Sequence, residues 1–301
     1  MDRLESMSML VAAVEAGSIS AAARRLGRPL TTVSRKISDL EAHLGTRLLN
    51  RSSRRLTLTD AGRSYVAACQ RILDDVREAE RAAAGEYAAP RGRLAITAPI
   101  VFGRLHVLPV VSEFLGAYPE IDLRLVLADG VINLLEEQID LAVRIGELPD
   151  SSLIAARVGS IRRVICASPA YLSARGSPES PKDLARHDCV TFEGLMAPEA
   201  WAFAMGKTVL SVPVRSRLVV NTAEAAVDAA IAGIGLTRVL SYQVAAALEA
   251  GRLALVLEDY EPAASPVNLV YGSGRLLPLK LRAFIDFAVP RLKARLAALA
   301  G

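Results

Sequence analysis

The sequence predicts an α/β protein: an N-terminal winged helix-turn-helix, a long linker helix, and a larger C-terminal unit of alternating strands and helices. Three observations carry that expectation. A short helix, a tight turn and a longer helix follow one another before residue 45, a heptad-spaced helical pattern runs from about 60 to 84, and short β-rich runs alternate with helical segments beyond 91. The 301 residues are 52% hydrophobic, 5% aromatic and 23% charged, which excludes disorder and leaves room for two or three domains.

In the first helix, Leu4, Met7, Val11 and Val14 recur at helical spacing, with Asp2 and Glu5 placed as cap and partner and Gly17 following. Ser20 then precedes Ala21, Ala22, Ala23, Arg24, Arg25, Leu26 and Gly27, a short helix with a capping hydroxyl in front and a glycine stop behind. Only Arg28 and Pro29 separate it from a third helix, whose core stripe is Val33, Ile37, Leu40 and Leu44 before Gly45. At about 100° per residue, Thr31, Arg35 and Ser38 fall on the opposite side. Their hydroxyls suit phosphates, their methyls thymine and their guanidinium guanine, the groups that a recognition helix carries into a major groove.

Charge is concentrated in the same place. Residues 20–58 hold nine basic side chains against two acidic ones, a net of +7, whereas residues 91–301 hold 22 against 21, within a chain of net +4. Such a block is the footprint of a polyanion-binding module, with a merely solvated basic face as the alternative. After Gly45, residues 46–58 form two short strands around a basic tip, a wing that would set Arg51, Arg54 and Arg55 against the sugar-phosphate backbone; the plainer reading is a solvated hairpin.

From Thr59 and Asp60 a long helix runs to about Ala84. Tyr65, Cys69, Ile72, Val76, Ala79 and Ala83 lie at spacings of 4, 3, 4, 3 and 4, a seam expected to pair with a second copy, the alternative being a helix packed on its own domain. Cys69 on that seam is expected to be a small buried hydrophobe. With Cys166 and Cys189 it makes neither a disulfide framework nor a zinc site, so a reducing cytoplasm is expected. There is no export pattern at the N-terminus, and no uncharged apolar stretch of about 18 to 20 residues, so membrane insertion is not expected.

Ala21, Ala22, Ala23 and Leu26; Val33 to Ile37; Leu40 and Glu41; Leu44 and Gly45; Leu48 and Leu49; Arg51; and Leu58 to Gly62 together resemble, in that order, the winged helix-turn-helix of LysR-type transcriptional regulators over roughly the first 65 residues. The chain departs from the family at the start of the recognition helix. Pro29 and Leu30 stand where a Ser or Thr followed by Gln is usual, so readout there is apolar or falls to Thr31, Thr32 and Arg35. The candidate DNA-contacting set is Ser20, Pro29, Leu30, Thr31, Thr32, Ser34, Arg35, Ser38, Arg51, Arg54 and Arg55. The resemblance implies a partition into 1–62 for DNA binding, 63–90 for a dimerising linker and hinge, and 91–301 for effector binding.

In the last region β runs are expected at Arg93 to Ala98, Asp122 to Ala128, Asp140 to Arg144, Arg163 to Ala167, Cys189 to Phe192, Arg217 to Val220, Gly235 to Arg238 and Val267 to Tyr271. Their alternation with helices predicts parallel, doubly wound sheets whose ligands bind beyond the strand ends. Phe102, Leu108 and Pro109, Tyr118 and Pro119, Asp140 to Arg144 and Ala232 to Gly235 resemble the family's effector-binding domain, a two-lobed fold like the type II periplasmic binding proteins. This implies a first lobe of about 92–164 and 268–301, a second of about 165–267, and a small molecule between them. Loop positions Thr97, Ala98, Pro99, Ile100, Asp129, Arg144, Ile145, Phe192, Asn221 and Thr222 become candidate contacts. Asn221 and Thr222 are equally suited to capping a helix, and Arg144 to pairing a local carboxylate.

No Gly-x-Ser-x-Gly, His-Glu-x-x-His or phosphate loop is present, and His43, His106 and His187 stand apart, so no catalysis, metal or cofactor is expected. The resemblance implies a homodimer or homotetramer on double-stranded DNA carrying an imperfect inverted repeat, a small-molecule effector and contact with RNA polymerase. It leaves activation and repression open. The rivals are a cytoplasmic small-molecule binding protein without specific DNA regulation and a transport-type solute-binding protein, the latter weakened by the missing export signal.

Overall fold

A computed structural model describes residues 2–51, 56–83, 89–130, 134, 137–148, 153–192, 200–206, 208–273 and 277–299. The chain divides into two compact units, Met1–Gly92 and Arg93–Gly301.

In the first unit, α1 (Arg3–Glu15), α2 (Ile19–Arg25) and α3 (Leu30–Leu44) are followed by β1 (Leu49–Arg51), β2 (Leu56–Leu58) and α4 (Asp60–Ala83). Asp2 caps α1 by accepting the Glu5 amide. The buried side of α1 is carried by Ser6, Met9, Leu10 and Ala13, while Leu4 is exposed. Of the expected stripe, Val11 is buried and Met7 and Val14 pack partly buried against the core, so spacing finds most of the inner side and misplaces only Leu4. Ser18 caps α2 by accepting the Ala21 amide, so Ser20 lies inside the helix rather than at its cap. Val33, Ile37 and Leu40 of α3 are fully buried against α1 and α2. Leu44, the fourth member of the expected stripe, is 36% exposed, because Gly45 ends the helix there in the left-handed conformation.

The wing is joined to this core through backbone groups. The Glu41 carboxylate accepts the Leu48 and Leu49 amides at 2.8 and 3.0 Å, and the Thr59 hydroxyl donates to the Arg47 carbonyl at 2.8 Å and accepts the Gly62 amide at 2.9 Å. A Cβ on Gly62 would lie 2.0 Å from the Leu48 carbonyl oxygen, so only glycine lets α4 start this close to the wing. The strands pair antiparallel, Leu49 opposite Leu58 and Arg51 opposite Leu56.

The second unit contains two five-stranded sheets. Its elements are β3 (Gly92–Ala98), α5 (Ile100–Phe102), a π-helical turn at Gly103–Val107, α6 (Leu108–Ala117), β4 (Ile121–Leu127), β5 (Leu141–Ile145), β6 (Leu153–Ile161), β7 (Arg163–Ala167), α7 (Pro169–Arg175), β8 (Cys189–Phe192), β9 (Ala200–Met205), β10 (Thr208–Pro213), β11 (Ser216–Val220), α8 (Ala223–Ile231), β12 (Leu236–Leu240), α9 (Ser241–Glu249), β13 (Ala254–Val256), β14 (Ser265–Gly272) and α10 (Leu279–Ala297). The first sheet is ordered β4-β3-β5-β14-β6 and the second β11-β8-β12-β7-β13, with β9 and β10 as a separate hairpin. Both are mixed rather than parallel: β14 opposes β5 and β6, and β7 opposes β12 and β13. These are the sheets' strands adjoining the two chain crossings, where no helical crossover fixes the direction.

Phe114, Phe284, Leu292 and Leu296 cover the first sheet, with the Phe114 and Phe284 rings edge to face at 5.0 Å. Helices α8 and α9 bring Val227, Ala230, Val244 and Ala247 onto one cluster of the second sheet, and Tyr171, Leu184, Trp201 and Phe203 build another. The continuous helical stretch Ile100–Ala117 is long and apolar enough by composition to cross a membrane, yet it carries Arg104 and Glu113 and buries Phe102, Val107, Val110 and Phe114 in this core.

Replacing Gly62 with alanine must displace backbone, not merely a flexible side chain. Gly62→Ala is expected to cost about 2 kcal/mol or more of the first unit's stability. Thermal unfolding followed by circular dichroism checks this, and an unchanged midpoint would refute the close approach.

Candidate nucleic-acid interface and ligand cleft

On α3, burial of Val33, Ile37 and Leu40 leaves Thr31 and Arg35 exposed on the far face, with Thr32, Ser34 and Ser38 half-buried at its margins. Leu30, half exposed, and Pro29 form the leading end, and no described side chain caps the first turn. The chain's basic block is not uniform. Lys36 pairs with Glu5 of α1 at 2.5 Å and Arg25 with Glu15 at 2.8 Å, so both hold the helices together, whereas Arg35 has no ion pair among the described residues. The Ser38 hydroxyl donates to the Ser34 carbonyl at 2.9 Å. Ser20 is exposed on α2, its hydroxyl 3.3 Å from that of Ser18. Arg51 sits on β1, and its side chain, like the whole of Arg54 and Arg55, lies outside the described residues.

The expected pairing seam on α4 splits in two. Cys69 is fully buried and Tyr65 partly so in the first unit's own core, together with Val66 and Leu73, which the heptad pattern did not single out. Burial raises the Cys69 thiol to about 11, in keeping with a hydrophobic role. Beyond it the open side begins: Ile72 is 41% exposed, Ala79 exposed and Val76 intermediate. The side chain of Ala83 is outside the described residues.

In the second unit the candidate contacts gather at the ends of strands from both sheets. Thr97 and Ala98 are buried, and the Thr97 hydroxyl donates to the Val126 carbonyl at 3.0 Å, fastening β3 to β4 while its oxygen can still accept. Pro99 and Ile100 open α5, and the Ile100 amide donates to the Asp129 carboxylate at 3.0 Å. The half-buried Arg144, its pKa lowered by burial, reaches the Gly130 carbonyl at 3.4 Å beside Ile145. From the second sheet come half-buried Phe192, exposed Asn221, and Thr222, whose hydroxyl accepts the Ala225 amide and caps α8.

Residues without a sequence signal tie the two sheets together. Arg104, in the π-helical turn, pairs with Glu224 of α8 at 2.9 Å. Tyr242 of α9 packs edge-on to Phe102 at 5.4 Å and to His106 at 5.6 Å. At the crossings, Arg162 pairs with Glu261 at 3.3 Å and with Glu258 at 3.6 Å, clipping one connecting segment to the other.

This arrangement matches known proteins along nearly its whole length. Residues 4–63 match the family described as bacterial regulatory helix-turn-helix protein, lysR family, and residues 88–293 match the LysR substrate binding domain. The chain belongs to the LysR family. It is similar to an HTH-type transcriptional regulator of Xanthomonas campestris pv. campestris, 38% identical over 96% of this chain and 85% of the relative. Among solved structures it is similar to CrgA, a LysR-type regulator from Neisseria meningitidis, with 33% identity, 96% of this chain and 98% of the other covered, and a TM-score of 0.61. Full-length AphB of Vibrio cholerae, at 28% identity, covers 96% of this chain and 99% of its own with the same TM-score of 0.61. The protein is thus a LysR-type, DNA-binding transcriptional regulator with an effector-binding domain, in a family that binds DNA and small-molecule effectors and forms oligomers.

In this LysR-type regulator none of the three histidines belongs to a group of metal-ligating side chains among the described residues. His43 is exposed and His187 lies 3.2 Å from the Tyr171 hydroxyl. His106 is 8% exposed between Phe102, Tyr242 and α10, and neither ring nitrogen has a hydrogen-bond partner. Burial, reinforced by the nearby Arg295 charge, lowers its pKa to about 4 from 6.5. Between those values the unfolded chain binds the extra proton, so His106 makes stability fall as the pH drops from about 6.5 towards 4. His106→Phe is expected to flatten that part of the stability profile by on the order of 1–3 kcal/mol. Thermal midpoints measured across pH 4–7 decide it, and identical slopes in both proteins would exclude the effect.

Proposed function

We propose that paired winged domains of this regulator bind two half-sites of an imperfect inverted repeat, each inserting α3 into a major groove. The observation that carries the reading is the outward face of α3. Arg35 stands exposed and without an ion pair among the described residues, directly opposite the buried Val33, Ile37 and Leu40. Thr31, Thr32, Ser34 and Ser38 would supply hydroxyls and methyls beside it, and Pro29 and Leu30 an apolar leading edge for a thymine methyl. The uncapped first turn of α3 favours a phosphate, and Ser20, Arg51, Arg54 and Arg55 would hold the flanking backbone.

In this reading residues 1–62 bind DNA, 63–90 pair the copies, and 91–301 take the effector between a first lobe of about 92–164 and 268–301 and a second of about 165–267. Pairing would use Ile72, Val76, Ala79 and Ala83, the part of the seam beyond the domain's own core. The effector would meet Thr97, Ala98, Pro99, Ile100, Asp129, Arg144, Ile145, Phe192, Asn221 and Thr222. It shifts the lobes only as far as it favours one arrangement over the other. The assembly, a dimer or tetramer in the cytoplasm, would pass the change to RNA polymerase. The reading includes no catalytic step.

Gel shifts on the protein's own upstream intergenic DNA test the core of it: retention that ignores sequence would count against it. Arg35→Ala is expected to lose about 1–3 kcal/mol of discrimination between that DNA and unrelated duplex. Uniform weakening on both would make Arg35 a phosphate contact. Ile72→Glu is expected to lower the oligomeric state in sedimentation at micromolar concentration, and unchanged sedimentation would move pairing off α4.

A further inference from the structure

Away from the strand ends that face the cleft, three arginines converge on one buried carboxylate. Asp188 immediately precedes β8, and its side chain is 6% exposed. Arg217 on β11 reaches it at 3.2 Å, Arg175 at the end of α7 at 3.4 Å and Arg215 in the turn before β11 at 3.5 Å. Each contact is single, and the three guanidinium side chains are 55%, 58% and 76% exposed. A guanidinium carries five N–H donors, so most of them here face solvent.

Two features separate this cluster from an ordinary surface ion pair. First, Asp188 is held by its backbone. Its amide donates to the Tyr171 hydroxyl at 3.0 Å and its carbonyl accepts the Leu236 amide at 2.9 Å. A Cβ on Gly235 would lie 2.2 Å from that carbonyl oxygen, so the glycine is what admits the close approach. The carboxylate is therefore a fixed post, placed by β8 and α7, about which long side chains from three separate segments are arranged. Second, the charges do not balance. Three cations share one anion, leaving two positive charges concentrated around a single carboxylate. Their mutual repulsion would be relieved by a further anion accepting the donors that face solvent.

We propose that Arg175, Arg215 and Arg217, organised by Asp188, form a second ligand site on this protein, for a small phosphorylated molecule. A phosphate monoester or diphosphate group matches the excess of two positive charges and offers the several oxygens that forked guanidinium donors engage. The site lies at the opposite end of β8 from Phe192, one of the proposed effector contacts, and rests on neither the effector nor the DNA reading. Its ligand would stabilise the second sheet by joining α7 and β11 through the anion.

Calorimetric titration of the full chain with inorganic pyrophosphate at constant ionic strength tests the proposal, with sulfate as the matched control. Saturable binding at one site per chain is expected. It should persist in Arg252→Gln, an exposed arginine outside the cluster, and the Kd should rise about tenfold or more in the double variant Arg215→Gln, Arg217→Gln. If the double variant does not fold, Arg215→Gln alone, the most exposed of the three, replaces it. Equal binding by variant and parent, or a response to pyrophosphate no larger than to sulfate, would overturn the site. A repeat with the upstream DNA at saturation separates the two sources of phosphate. Displacement by the duplex would assign the contact to nucleic-acid backbone and overturn the small-molecule ligand.

Discussion

The burial of Val33, Ile37 and Leu40 sets what the first unit can present. Each fully buried aliphatic side chain is worth about 1.5–3 kcal/mol, so the three together outweigh any single polar contact on the opposite face. Turning α3 about its axis by one residue's worth would expose part of that stripe, and nothing on the surface compensates. The outward display of Thr31 and Arg35 thus follows from apolar packing behind them. Glu41 extends the constraint, because its carboxylate holds two amides at the entry to the wing. Lys36 and Arg25 add to it by pairing across helices, so part of the basic block is structural and part is free to meet an anion.

The second unit shows a different balance. The helix starts among the candidate effector contacts are already satisfied by the chain itself, α5 by the Asp129 carboxylate and α8 by the Thr222 hydroxyl. A ligand there meets helix ends whose leading amides are engaged, which weakens the general expectation that such ends collect carboxylates. The links between the two sheets also differ in strength. The exposed pair of Arg104 and Glu224 contributes about 1 kcal/mol at most, whereas Tyr242 against Phe102 and His106 is a buried aromatic contact. Separation of the two sheets therefore meets little resistance at the ion pair and more at α9.

What could be read from the residues divides along the range of the forces involved. The three front helices, the wing and eight of the strands lie where local periodicity and turn residues place them. Choices between equivalent local patterns did not: Ser18 rather than Ser20 caps α2, and the α1 core uses Met9 and Leu10 rather than Leu4. Cys69 fits a heptad, but its burial depends on α1, which packs on it from 60 residues away in the chain. Strand β6 gives no strand signal because Ala155, Ala156 and Arg157 lend an exposed edge strand the composition of a helix. In β9 buried Trp201 and Phe203 alternate with Ala200, Ala202 and Ala204, but the outward positions are apolar too, and β10 and the short β13 carry no clean alternation. Strand direction is invisible to periodicity, hence the antiparallel β7 and β14. Arg104 and Glu224 are 120 positions apart, and no spacing rule joins them.

The contact between Gly62 and the Leu48 carbonyl has a mechanical consequence. With no methyl between them, and with Thr59 bonded on both sides of the junction, the start of α4 has no slack against the wing. A rotation of α4 at this junction would have to carry the first strand of the wing with it, the two acting as one lever.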